Sequence, residues 1–285
     1  MAILTVVSGC APRVVPLPIP APSTAPAAPV PVVVPTATRY SVPGLVTDTR
    51  YGIESIAQLE RDSAGRRDVQ SITSRAQTTV RLRRTQDGAF SGSGRIIGYS
   101  VSSALSATPI VIDSLRFQTV LDPTALRVAM QPPLANECDR PETGALSVVR
   151  DLLLRVPGSI AVGDQWRDST VQIVCRSSVP MIVRTTNAYV ATDAVRGRDG
   201  MELSIRRTSV TRVEGKTTSP WRSVDITGTG SAVLTARVTV NTGVVHMVQS
   251  TSTLTLTVND LSSTSAVRAQ QVIQRVTFKG DVIGQ

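Results

Sequence analysis

The chain has 285 residues and a net charge of +9. Its length allows one large β domain or two smaller ones, each with a sizeable core. The positive charge comes almost entirely from arginines scattered along the chain, a pattern that favours contact with anionic surfaces in general. Phe, Trp and Tyr make up only 3% of the residues, which argues against the stacking platforms of single-stranded nucleic-acid binders. We therefore expect no nucleic-acid partner.

The most specific short motif is Val7-Ser8-Gly9-Cys10 at the N-terminus. It resembles the lipobox of bacterial lipoproteins, in which an apolar run and two small residues precede a cysteine that is lipidated and becomes the mature N-terminus. The resemblance covers residues 1–10 and departs from the pattern, because no Lys or Arg precedes the short apolar run. It implies that Cys10 is the lipidation site and that residues 1–10 are a signal remnant. The alternative for the apolar run is a buried strand.

Residues 11–37 contain nine of the eighteen prolines. No packed element tolerates that density, so we expect a disordered, extended tether reaching ~3 Å per residue. Lipobox, tether and folded domain in this order are common in envelope lipoproteins. A cysteine followed by Ala11 and Pro12, without aspartate, resembles lipoproteins sent to the outer membrane. The resemblance implies a cell-envelope protein, held to the membrane by its lipid and facing the periplasm or the cell surface.

The remaining sequence alternates in the manner of β-strands. Val80 and Leu82, for example, face one way and Arg81 and Arg83 the other. Glycine-containing turns join several of these runs. The pattern predicts one or two short strands in residues 39–56, a charged loop at 62–68, and strands at 69–84, 89–101, 110–121, 125–130, 164–175, 181–195, 201–213, 232–240, 244–258 and 267–278.

One amphipathic helix interrupts the strands. Asp139 and Glu142 have the spacing of an N-cap and its partner, with Pro141 in the first turn. Apolar residues then recur at helical spacing as far as Val156, and Pro157 ends the helix. We predict an all-β fold, mainly of antiparallel curved sheets or half-barrels, with this single central crossover helix packed against an open face.

The helix divides the folded part into a first β half at residues 38–138, a connecting helix at 139–157 and a second β half at 158–285. Asp87-Gly88 and Asp199-Gly200 occupy similar places in the two halves, so the halves are either a weak internal repeat or alike by chance. The turn, the helix and the following Gly163-Asp164-Gln165-Trp166 together resemble β-rich lipoproteins of Gram-negative envelopes.

Cys138 and Cys175 bracket the helix. If Cys10 carries lipid, these two remain as an even number, which an oxidising compartment allows to pair. We predict a disulfide between them; the alternative is two buried thiols that never meet. His246 is the one histidine, and its position between Val244 and Val248 predicts a packed or rim side chain rather than a catalytic one. The sequence holds no pattern for a metal site, and we predict no cofactor.

Arg81, Arg83, Arg84 and Arg95 are predicted to form a basic strip across one hairpin, with Arg206, Arg207 and Arg212 as its counterpart in the second half. Such a strip suits lipid headgroups or other acidic envelope polymers. The alternative is an ordinary solvated strand face.

Two functional hypotheses follow from the sequence. The first is a non-enzymatic envelope lipoprotein that binds or carries an apolar or amphipathic ligand, or acts as a scaffold for a partner. In outline it resembles the periplasmic lipoprotein carriers, in which a helix covers a curved sheet. The second is an envelope hydrolase, which requires a cleft where His246 or a pair of carboxylates meets polar neighbours. A large apolar cavity beside the helix would favour a carrier, and a filled core would favour a scaffold.

Overall fold

The computed structural model describes residues 38–42, 46–63, 66–103, 106–122, 126–131, 142–176, 179–197, 200–219, 222–262 and 268–283. The chain divides into two units, Met1–Thr36 and Ala37–Gln285, and all described residues belong to the second. The predicted signal remnant with Cys10, the whole predicted tether at residues 11–37, Cys138 and Asp139 lie outside the described residues.

The described residues contain thirteen strands and one α-helix, so the predicted fold class is confirmed. The strands are β1 (Arg39–Ser41), β2 (Val46–Ser63), β3 (Arg66–Arg84), β4 (Phe90–Ser103), β5 (Ser106–Leu121), β6 (Leu126–Met130), β7 (Ser159–Ala161), β8 (Gln165–Arg176), β9 (Val179–Gly197), β10 (Gly200–Ser219), β11 (Arg222–Thr239), β12 (Val245–Ser262) and β13 (Arg268–Val282). The helix α1 (Glu142–Val149) lies between β6 and β7.

Eleven strands form one antiparallel sheet in the order β6-β5-β4-β3-β2-β13-β12-β11-β10-β9-β8. Strands β2 to β6 are one meander and β8 to β13 another, and the two join where β13 pairs with β2. In that ladder Gln271 lies opposite Asp62 and Val282 opposite Tyr51. The two outer strands of the order, β6 and β8, come close together, so the sheet curls into a nearly closed barrel. The two predicted β halves thus share one sheet, and their internal similarity stays a prediction.

Alternation along the strands separates an apolar interior from a polar outer face. On β12, Val248 and Leu256 are buried, whereas Thr251 and Thr253 are exposed. The predicted turns also form: Gly88 has a φ of 82° and Gly243 a φ of 67°, values that favour glycine. The predicted charged loop at residues 62–68 is wrong in extent, because β2 continues to Ser63 and β3 begins at Arg66.

Residues Glu142–Val156, which lie between β6 and β7, pack inside the barrel. Helix α1 is followed by a 3-10 turn at Arg150–Leu152 and then by extended chain. We call Glu142–Val156 the plug segment. Residues from many strands touch it: the Arg84 guanidinium donates to the Leu154 carbonyl at 2.7 Å, and a Cβ added to Gly280 would lie 2.6 Å from a Leu152 methyl group. Its apolar side chains are almost wholly buried, at Leu146, Val149, Leu152, Leu153, Leu154 and Val156.

The helix is shorter than predicted. It was expected to continue to Val156, but helical geometry ends at Leu152, and Leu153 has a φ of −95° and a ψ of 83°. The last turn tightens to a 3-10 bond, in which the Leu153 N–H donates to the Arg150 carbonyl at 3.1 Å, and the chain leaves the helix there. Because the barrel surrounds the segment, the consecutive residues Leu152, Leu153 and Leu154 can all be buried without a helical stripe.

The barrel interior is layered. One apolar cluster surrounds the plug segment, and a second, smaller one around Val213, Ile226 and Leu256 lies apart from it. A set of buried polar side chains belongs to neither cluster: Asp168, Thr170, Asn187, Arg207, Ser209 and Ser250. Buried polar groups are costly unless hydrogen-bonded, so this set is where a site with specific contacts is to be sought.

Candidate functional site: a polar cavity beside the plug segment

An internal cavity of about 230 Å³ lies between the plug segment and strands β8, β9 and β10. Its walls combine hydroxyl, amide, carboxylate and guanidinium groups with apolar side chains such as Leu121, Leu126 and Leu153. The plug segment contributes Arg150 and Asp151, and the strands contribute Asp168, Tyr189 and Arg207 among others. Ser147, which is exposed, also lines it, so the cavity reaches the surface on that side.

The register of three neighbouring strands brings the polar side chains together. Asp168 on β8 lies opposite Asn187 on β9, and Asn187 lies opposite Ser209 on β10. The Asn187 amide donates to one Asp168 oxygen at 2.6 Å, and the Ser209 hydroxyl donates to the Asn187 carbonyl at 2.6 Å. The Tyr189 hydroxyl donates to the other Asp168 oxygen at 2.9 Å. Both carboxylate oxygens of Asp168 are therefore engaged within the barrel wall.

Tyr189 links this row to an ion pair. It lies opposite Arg207 in the ladder and also hydrogen-bonds to its guanidinium. Burial raises the pKa of Tyr189 well above its usual value; Arg207 lowers it and Asp168 raises it again. The hydroxyl therefore stays protonated at neutral pH and keeps its role as a donor to Asp168.

Arg207 fastens the plug segment to the wall. Its guanidinium donates to one oxygen of Asp151 at 2.7 Å, and the Ser250 hydroxyl on β12 donates to the other oxygen at 2.8 Å. Burial alone would lower the pKa of Arg207, but the neighbouring carboxylate of Asp151, followed by Tyr189, raises it above its usual value. A side chain in the middle of the sequence thus holds together strands that follow it by more than fifty residues.

Two hydrogen-bond donors of the cavity remain without partners. They are the Nε atoms of Arg150 and Arg207, both buried. Burial lowers the pKa of Arg150 to about 10, with Asp151 acting against the shift; the guanidinium therefore carries its charge at neutral pH. Leaving a buried donor unpaired costs about 1–3 kcal/mol. The cavity is thus short of acceptors.

A second hollow, of about 270 Å³, is a basic groove on the outer face of strands β2 to β5. Arg81, Arg95 and Arg116 line it, with Asp48 as the acidic residue of the lining. Arg95 and Arg116 lie directly opposite each other on β4 and β5, an arrangement that is unfavourable without a counter-anion. Asp48 lies 3.7 Å from the Arg81 guanidinium and offsets one of the three charges.

The predicted basic strip is correct only in part as a surface feature. Arg81, Arg83 and Arg95 are exposed. Arg84 is not: it points into the barrel, is only 8% exposed and lies over the Phe90 ring at 5.4 Å. Burial lowers its pKa to about 10, and Tyr51 raises it. Arg207 of the counterpart strip also points inward, whereas Arg206 and Arg212 are exposed.

A wider, open groove of about 660 Å³ lies on the outer face beside Gly98. Charged residues line it, but they pair among themselves: Arg75 with Glu54 at 2.8 Å and Lys279 with Asp281 at 3.0 Å. Although it is the largest hollow described here, its charges are internally compensated and it is remote from the buried polar row. We therefore regard the plug-side cavity as the candidate site.

The other predicted site residues lie elsewhere. His246 is at the rim, with its Nε2 3.5 Å from Glu202, and lines none of the three hollows described above. Cys175 is disulfide-bonded; that its partner is Cys138 stays a prediction, because Cys10 and Cys138 are outside the described residues. Within the described ranges, no group of three or more His, Cys, Asp or Glu side chains is placed to bind a metal ion.

Sequence reasoning missed the row of Asp168, Asn187 and Tyr189. One signal was present: Arg207 has the parity of Leu203 and Ile205, which alternate toward the core. No comparable signal marked β8, because its outward residues Val171 and Ile173 are more apolar than its inward ones.

Comparison with known proteins yields no family assignment. No family model matches the chain, and no curated protein matches it. Among solved structures, it is similar to Pseudomonas aeruginosa OccK2 (OpdF) in complex with glucuronate, at 7% identity and a TM-score of 0.26, covering 83% of this chain and 97% of that one. It is also similar to Pseudomonas aeruginosa OpdQ, at 6% identity and a TM-score of 0.21, covering 84% of this chain and 100% of that one. TM-scores this low do not indicate a common fold.

Among the residues that the structure describes, no helix is both long and apolar enough to cross a membrane.

Proposed function

We propose that the protein is a non-enzymatic lipoprotein of the cell envelope and that its barrel acts as a scaffold at a membrane surface. The observation that carries this proposal is the filled interior. The plug segment occupies the space beside the sheet with its own leucines, and Leu154 is 0% exposed. A carrier of apolar ligands needs a large apolar hollow there, whereas the cavity beside the plug segment is small and carries charged groups in its wall.

The exposed arginines of the outer face support a barrel that is surrounded by water rather than by lipid. Arg81 and Arg95 on one side and Arg206 and Arg212 on another point outward from the described strands. On the lipid face of a membrane-spanning barrel, an arginine at the bilayer midplane costs about 2–4 kcal/mol. These exposed arginines support a barrel that lies beside the membrane, with Cys10 and the proline-rich tether as its proposed attachment.

The basic groove supports contact with an anionic surface. Arg81, Arg95 and Arg116 with one nearby carboxylate leave a surplus of positive charge. A Lys or Arg near an anionic bilayer contributes about 1 kcal/mol, so three such residues favour loose attachment of a domain that a lipid already holds nearby. The partner is an acidic component of the envelope.

The hydrolase alternative has one supporting observation, because Asp151 and Asp168 line the same cavity. A carboxylate that exchanges protons with a substrate must be free to reach it. Here each carboxylate accepts hydrogen bonds on both oxygens, from Arg207 and Ser250 in one case and from Asn187 and Tyr189 in the other. These contacts favour a binding and structural role.

Anchoring and scaffolding are tested separately. We expect the mature protein to carry acyl chains on Cys10 by mass spectrometry, and the Cys10→Ala variant to leave the membrane fraction. A fluorescent apolar probe such as phenylnaphthylamine should show no saturable binding to the full chain. An unacylated N-terminus would contradict the lipoprotein, and stoichiometric uptake of the probe would contradict the filled scaffold.

Contact with anionic surfaces is tested with vesicles. We expect the full chain to sediment with phosphatidylglycerol-containing vesicles more than with phosphatidylcholine alone, and less so at high salt. Arg95→Gln should weaken the binding about fivefold, the equivalent of ~1 kcal/mol. Arg212→Gln, an exposed arginine outside the groove, is the matched control. Equal effects of the two substitutions would remove the groove from the proposal.

A further inference from the structure

We propose that the cavity beside the plug segment binds a small carboxylate or another small oxyanion between Arg150 and Arg207. This site is independent of the scaffold role, which depends on the filled apolar interior and the outer face. Three properties of the cavity support this binding: its unpaired atoms, its size and its opening.

The unpaired atoms determine the chemistry. The Nε groups of Arg150 and Arg207 are buried donors without acceptors, and the two side chains line the cavity. Guanidinium groups are always charged and present their N–H groups as a planar fork, which a carboxylate or phosphate matches with two parallel hydrogen bonds. A ligand that offers two acceptor oxygens would satisfy both buried donors at once.

The acidic groups of the cavity do not compete for that position. Asp151 is held by Arg207 and Ser250, and Asp168 by Asn187 and Tyr189. Arg150 gains some compensation from Asp151, but that carboxylate is shared with Arg207. Because Asp168 also lines the cavity, its two guanidinium groups and two carboxylates balance in charge, and the unmet need is for acceptors at the two Nε groups.

The size sets an upper limit. At about 230 Å³, the cavity is smaller than the ~300–1,000 Å³ of pockets that take drug-sized ligands. Hydroxyl and amide groups from Thr170, Gln172 and Thr185 line one part of the wall, which suits a ligand with further polar atoms, and apolar side chains line another part. Ser147 is exposed and marks an opening through which a small solute can enter.

The experiment is isothermal titration of the full chain with sodium acetate and with inorganic phosphate at constant ionic strength. Sodium chloride and glycerol serve as controls for charge alone and for hydroxyl groups alone. We expect saturable binding of at least one oxyanion, and the difference between acetate and phosphate identifies the class. Tryptophan fluorescence gives a second readout, because Trp166 stacks on Tyr189 with ring centroids 5.2 Å apart.

Two variants and one control locate the site. Arg150→Gln should weaken binding at least tenfold, and Arg150→Lys should fall between, because it keeps the charge and loses the fork. Arg206→Gln, on the exposed face of the same barrel, should leave the affinity unchanged. If Arg150→Gln does not fold, the affinity of the Arg150→Lys variant is the test, and it should be lower than that of the wild type. Equal responses to acetate, chloride and glycerol, or unchanged binding in both Arg150 variants, would overturn the proposal and leave the cavity to ordered water.

Discussion

The bond between Asp151 and Arg207 gives the sharpest test of the plugged barrel. Replacing Asp151 by alanine leaves the Arg207 guanidinium, whose side chain is 10% exposed, without its anionic partner. Breaking a buried ion pair from one side costs about 3–5 kcal/mol. The side chain of Asp151 is 35% exposed, and solvent screening therefore favours the lower end of that range, about 3 kcal/mol.

The loss is measured by urea unfolding with tryptophan fluorescence. Trp166 donates from its indole nitrogen to the Arg155 carbonyl of the plug segment at 3.0 Å, so its emission reports on the docked plug. For a domain of this size, 3 kcal/mol corresponds to a fall in the melting temperature of about 6–12 °C. The matched control is Glu214→Ala, which breaks an ion pair with Arg184 that is exposed on both sides and should cost less than about 1 kcal/mol.

The double variant Asp151→Leu, Arg207→Met separates the two costs. Removing both charges relieves the unpaired cation, and buried ion pairs replaced by apolar residues are often neutral or stabilising. We expect the double variant to be more stable than Asp151→Ala. If Asp151→Ala is as mild as Glu214→Ala, or if the double variant is the least stable of the set, the plug is not held by this pair.

Three further predictions concern the turns and the covalent link. Gly88→Ala should destabilise the protein, because Gly88 has a φ of 82° and an added Cβ would lie 2.6 Å from the Val156 carbonyl oxygen; a wild-type urea midpoint would refute the contact. The Thr85 hydroxyl, and then the Ala89 backbone and Arg155, lower the pKa of Asp87. That contribution is present above the unfolded pKa of ~3.9 and is lost as the pH falls below it, so unfolding of Asp87→Asn should depend less on pH in this range; equal slopes would contradict this. Cys175→Ser should cost about 4 kcal/mol if Cys175 pairs with Cys138, and peptide mapping under non-reducing conditions that finds another partner would disprove that pairing.

The sequence predicts the strands well because the alternation of apolar and polar residues and the turn residues lie within or beside each strand. Period-two alternation and the glycine turns place β8, β9 and the loop at Gly243 close to their observed bounds, whereas β10 continues to Ser219, six residues past its predicted end at Val213. It also predicts that a helix follows Pro141, since α1 begins at Glu142. These features are local, so neighbouring residues alone determine them.

The closure of the barrel and the place of the plug segment could not be predicted in the same way. The pairing of β13 with β2 depends on side chains far apart in sequence, such as Arg275 and Glu60, which meet at 3.3 Å. An amphipathic stripe indicates that a helix packs on something, but not that apolar walls surround it on all sides. The alternation of β3 puts Arg84 on the same inner face as Val80 and Leu82. The prediction of a surface strip ignored this alternation, because arginine is usually a surface residue.

The candidate site lies where the pattern is reversed. On β8 the inward residues Asp168, Thr170 and Gln172 are polar, whereas Ile173 on the outside is 70% exposed. A prediction from the apolar and polar pattern alone would assign Ile173 to the interior and Asp168, Thr170 and Gln172 to the surface. Only the ladder with β9, which sets Asp168 opposite Asn187, shows that the polar face belongs to the interior.

The pairing of β2 with β13 governs the order in which the chain can assemble. The first five strands of the sheet and the plug segment leave the ribosome, or emerge from an export channel, before any of β8 to β13 exists. Until those strands are synthesised, Leu152, Leu153 and Leu154 can pack only against the first meander, β2 to β6. Contacts over such sequence distances make folding slow and expose apolar surface to association with other chains. We therefore expect the unassembled first half of this chain to expose its leucines until β13 pairs with β2.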